Sequence, residues 1–101
     1  MPDTADATDT QFLVQKMDIV LSEYQKARAK RYAADIARTD ATWAVLRARL
    51  EGKEPDAVTV RDFYKTILEH ESEMRREELA LQRHDMLYLE MVQILAEREI
   101  P

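Results

Sequence analysis

Four side chains in one stretch of this 101-residue sequence are of the types that make metal sites: His70, Glu73, Glu77 and His84. Their spacings of three, four and seven place them on one face of a helix. Imidazole nitrogens and carboxylate oxygens together suit zinc or iron. The surrounding run, from Glu69-His70-Glu71-Ser72-Glu73 through Glu77-Glu78 to His84-Asp85, is the one polar concentration that could act as a site. Other chemistries lack their residues. There is no cysteine for a thiolate, no glycine-rich loop for a phosphate and no nucleophile–base pair. A non-enzymatic chain without a cofactor is expected.

The metal reading meets two difficulties. Helical bundles that hold two metal ions do so through Glu-x-x-His on a helix. Here Ile67 stands three residues before His70 and Leu81 three before His84, so that motif is absent. The first half of the chain also offers few matching carboxylates: Asp18, Glu23, Asp35 and Asp40. A salt-bridged acidic face opposite the basic run Lys26-Ala27-Arg28-Ala29-Lys30-Arg31 accounts for the same residues. That basic run is too diluted by facing acids for phosphate binding, and a net charge of -5 disfavours nucleic acid and anionic membrane as partners. No small-molecule substrate is indicated either.

The elements that position these residues are helices. Hydrophobic residues make up 46% and charged residues 35%, with one glycine, a mixture suited to long helices and too apolar for a disordered chain. Residues 1–9 read as a flexible polar tail, and residues 10–101 as a single helical-hairpin domain. The expected bounds are a helix over 11–51, a hinge over 52–58 and a helix over 59–99. Gly52 allows a left-handed helix end, and Pro55 prevents resumption. Asp56 or Thr59 would start the second helix.

In the first helix a column at 4-4-3 spacing runs through Leu13, Met17, Leu21, Tyr24, Arg28, Tyr32, Asp35, Thr39, Trp43, Leu46 and Leu50, apolar or aromatic except at Arg28, Asp35 and Thr39. The stretch Arg38–Thr42 is its weakest point, where Asp40 could cap a new helix and introduce a kink or break. In the second helix the column Val60, Ile67, Met74, Leu81, Tyr88, Leu95 is apolar throughout. Packing these columns antiparallel places Leu50 by Val60, Leu46 by Tyr64, Trp43 by Ile67, Ile36 by Met74, Tyr24 by Tyr88 and Met17 by Leu95. It also pairs Lys26 with Asp85, Asp35 with Arg75 or Arg76, and Arg38 with Glu73. The fold class is therefore all-α, a long antiparallel helical hairpin.

More apolar surface exists than one hairpin seam can bury. Phe12, Val14 and Ile19 on helix one and Met86, Leu89 and Ile94 on helix two fall off the expected seam, with Val45, Val58 and Leu68 near the hinge. Trp43, with Phe63 and Tyr64, reads as an aromatic plug or a binding hot spot. A second column, Ala27, Ala34, Ala41, Ala48 after Val20, would admit a close helix or simply fill surface. The functional expectation is a protein–protein interaction module that dimerises into a four-helix bundle and meets a larger protein partner. Its interface residues would be Phe12, Val14, Ile19, Met86, Leu89, Ile94, Trp43 and Leu68. The alternative is a carboxylate/histidine metal protein formed across a dimer interface. Without a signal peptide or an apolar stretch long enough for a membrane span, a cytoplasmic location is expected.

Overall fold

The computed structural model describes residues 4–100, with side chains from Thr10 onward. Two helices, α1 (Thr4–Leu50, 47 residues) and α2 (Ala57–Glu99, 43 residues), form a hairpin, and no strand occurs among the described residues. α1 starts at Thr4, so residues 4–9 of the expected tail are helical; residues 1–3 lie outside the described residues.

The turn follows from Gly52. Its φ of 72° is left-handed, and its N–H donates to the Arg49 carbonyl at 3.0 Å while the Lys53 N–H donates to the Ala48 carbonyl at 2.8 Å. This pair of bonds is the Schellman closure, which satisfies carbonyls that a helix end leaves free. α2 then opens at Ala57, two residues before the expected Thr59. Asp56 is its cap: Oδ1 accepts the Thr59 N–H at 2.7 Å. That bond holds the Asp56 carboxyl below its ordinary 3.8.

α1 runs without a break through Arg38–Thr42. Thr39 Oγ1 donates to the Asp35 carbonyl at 2.9 Å and Thr42 Oγ1 to the Arg38 carbonyl at 2.8 Å, so both hydroxyls are absorbed within the helix. The chain divides into two compact units: Ala27–Glu77 around the turn, and the segments up to Lys26 and from Glu78 onward.

Within each unit the inner seam differs from the expected one. On α1 the more buried residues recur at strict 4-3 spacing: Leu13, Met17, Val20, Tyr24 in one unit and Ala27, Arg31, Ala34, Arg38, Ala41, Val45, Ala48 in the other. On α2 they are Phe63, Thr66, His70, Glu73, Glu77 in the turn unit and Ala80, His84, Leu87, Met91, Ile94 beyond. The alanine column thus faces inward, where small side chains admit a neighbouring helix. Val45 and Leu87 are the most buried apolar residues, at 7% and 4% exposure.

The register is correspondingly about a turn short of the expectation. Tyr24 meets His84, not Tyr88, with ring centroids 6.0 Å apart. In the same unit Arg98 Nη1 donates to Thr10 Oγ1 at 3.2 Å. In the turn unit Arg31 Nε donates to Glu77 Oε2. The columns expected to meet are instead largely exposed: Trp43, Leu46, Leu50, Tyr64 and Met74 all remain open, as do Leu81, Tyr88 and Leu95. Trp43 is no plug, and the ring contact of Phe63 is with its neighbour Tyr64, at 5.4 Å.

Candidate functional site

The seam of the turn unit holds a polar stretch built from both helices. Asp35 on α1 is its centre. Arg38 Nη2 donates to Asp35 Oδ1 at 2.9 Å, and His70 Nε2 of α2 lies 3.3 Å from the same oxygen. The Arg38 hydrogen bond holds the Asp35 carboxyl below its ordinary 3.8; partial burial opposes this, and the charges of Arg38, His70 and Arg31 reinforce it. One turn away, Arg31 and Glu77 pair across the helices with both side chains less than a third exposed.

The expected cross-helix pairs do not form here. Arg38 serves Asp35 on its own helix, Glu73 takes Arg76 at 2.8 Å, and Arg75 takes Glu71 at 2.9 Å. Asp35 is therefore paired with Arg38 rather than with Arg75 or Arg76, and Asp85 lies 3.1 Å from His84. Arg38 Nε and Glu73 Oε2 are buried without a hydrogen-bond partner.

His70, Glu73 and Glu77 share the inner face of the turn unit, and His84 takes the same column in the other unit, between Tyr24 and Tyr88. The periodicity that singled them out is real, but the two carboxylates among them are taken by cations. Arg31 occupies Glu77 and Arg76 occupies Glu73, where a metal would need free carboxylates. Among the described residues no three His, Cys, Asp or Glu side chains converge as a metal site would require. The column is a charged packing layer.

The other candidate is apolar and lies outside the seam. On α1 of the turn unit, Tyr32, Ile36, Thr39, Trp43, Leu46 and Leu50 repeat at 4-3 spacing, a second helical stripe. Tyr32 and Trp43 are 61% and 57% exposed. Beside Trp43 a shallow depression is lined by Arg38, Thr39, Thr42, Trp43 and Leu46. Thr39 is the small residue of the stripe, and it is one of the residues that line the depression.

Of the expected interface residues, Phe12, Val14, Ile19, Trp43, Leu68, Met86 and Leu89 are exposed. Ile94 is not: it is half-buried on the inner column of α2. Val45, grouped with an outer face by its sequence position, is among the most buried residues. Leu87 escaped notice because the column it belongs to is polar through the turn unit, from Thr66 to Glu77. The signal was its place three residues after His84 and four before Met91. No helix among the described residues is long and apolar enough to cross a membrane. Comparison with protein-family models, curated proteins and solved structures finds no match for this chain.

Proposed function

We propose that this chain is a non-enzymatic helical protein–protein interaction module. It acts by burying its outer apolar faces, first by dimerising into a four-helix bundle and then by offering helical surface to a larger partner, as an adaptor, assembly factor or small regulator does. One observation carries this reading: the apolar residues best suited to a core lie outside the hairpin seam. The chain exposes 8216 Å² at 11.8 kDa. A compact monomer of that mass exposes about 5,900 Å². The surplus of roughly 2,000 Å² per chain is in the range that permanent interfaces bury.

Its apolar part is organised. Helical stripes at 4-3 spacing, such as Tyr32–Leu50, match another helix and no small molecule. Exposed apolar patches of this extent otherwise favour aggregation. The test is the mass of the assembly, measured by sedimentation velocity on the purified chain and by native gel filtration of a tagged chain in extract of its own cells. Assemblies above the single-chain mass in either setting are expected. A folded single chain in both would overturn the reading.

A further inference from the structure

We infer that the α1 stripe Tyr32–Leu50 is the dimer contact, and that its occupant is the same stripe of a second copy running antiparallel, with Trp43 of each chain seated in the depression lined in part by Thr39 of the other. This rests on the interaction reading above and adds to it a partner, a face and a direction.

Size complementarity sets the direction. In an antiparallel pair centred between Thr39 and Trp43, Tyr32 faces Leu50, Ile36 faces Leu46, and Thr39 faces Trp43. The one small residue of the stripe thus meets the largest, and the hollow that Arg38, Thr39, Thr42, Leu46 and the chain's own Trp43 line receives the partner's indole. A parallel pair would set Trp43 against Trp43 and Thr39 against Thr39, leaving a bulge beside a void.

Charge points the same way. Apart from Arg31 and Arg38, which belong to the inner seam, the charges flanking the stripe are Asp35 and Asp40 in its first half and Arg47 and Arg49 in its second. Antiparallel pairing brings unlike halves together, whereas parallel pairing stacks like on like. Arg47 already holds Glu51 at 3.4 Å, but both side chains are at least half exposed, so that pair constrains it little. Asp35 keeps its Arg38 and His70 contacts and adds a nearby cation. An isologous contact of this kind closes on itself and produces a dimer, not a filament.

The chain has no cysteine, so introduced thiols report without background. Three measurements on the full chain test the inference. Sedimentation equilibrium should give a dimer, with Trp43→Ala and Leu46→Glu each weakening it by about thirtyfold or more while helicity by circular dichroism is unchanged. Thr39→Trp, which fills the hollow, should weaken it comparably. A mixture of Ile36→Cys and Leu46→Cys chains should form the mixed disulfide on oxidation, while Ile36→Cys alone should not cross-link. A monomeric purified chain would overturn the inference; the interaction reading would still stand if the chain assembles in extract. A dimer insensitive to Trp43 and Leu46 but broken by Phe12→Glu or Leu89→Glu would overturn the face. Cross-linking of Ile36→Cys with itself would overturn the antiparallel direction.

Discussion

Gly52 and Asp56 show how much single residues decide here. A Cβ at Gly52 would meet nothing within 4 Å, so crowding plays no part in its selection. What remains is the left-handed φ of 72°, which costs an L-residue about 1–2 kcal/mol. Gly52→Ala should therefore destabilise the chain by about 1 kcal/mol in urea unfolding, and Gly52→Asn by less. Asp56 and Asp35 contribute to the acid limit. Both carboxyls titrate below their ordinary 3.8 in the folded chain, Asp35 through Arg38 and Asp56 through the Thr59 N–H. A depressed folded pKa adds stability above the unfolded value, and that stability is lost as pH falls through the folded one. Melting temperature should accordingly fall below about pH 4, and Asp35→Asn with Asp56→Asn should flatten that fall while lowering the plateau at neutral pH.

At the scale of helices, the sequence read correctly that two long helices form a hairpin about Gly52, but not which stripe packs inward. Both helices, the turn at Gly52 and the cap at Asp56 follow from local chemistry that acts within a few residues. The choice of seam does not. Ranking columns by hydrophobicity selected Trp43, Leu46, Met74 and Leu81 over Ala34, Ala41, Glu73 and Glu77. The folded chain prefers the columns whose small residues allow approach and whose charges match across the helices, as Arg31 and Glu77 do. The four His and Glu candidates were found by spacing, yet their partners were not legible, because Arg31 reaches Glu77 and Asp35 reaches His70 from the other helix. Two predictions belong here. Leu87→Ala should cost about 2–3 kcal/mol, whereas Trp43→Ala, at dilutions where the chain is monomeric, should change stability by less than about 0.5 kcal/mol. Equilibrium unfolding of the two variants compares them directly. Glu77→Ala should cost about 1–3 kcal/mol by removing the cross-helix bond from Arg31, while Arg31→Met with Glu77→Leu should be neutral or stabilising. That contrast, read by thermal melting, separates register from raw stability.

For the molecule as a whole, few residues are fully buried and the apolar surface is largely turned outward, so stability and association are linked. If the native dimer forms as proposed, the melting temperature rises with protein concentration, because a partner that binds only the folded chain shifts the equilibrium by mass action. Calorimetry over a hundredfold concentration range, about the span in which such a shift reaches several degrees, reads this directly. An unchanged midpoint would place all the stability inside one chain.

The closure at Gly52 also has an entropic consequence. Its bonds join residues only a few positions apart, whereas Arg31–Glu77 spans 46 residues and Thr10–Arg98 spans 88. The entropy of closing a loop rises with its length, but a contact already made nearer the turn shortens the loop that the next one must close. Each pairing nearer Gly52 thus lowers the entropic cost of the next one out, so the turn lends its order to contacts that lie far from it along the chain.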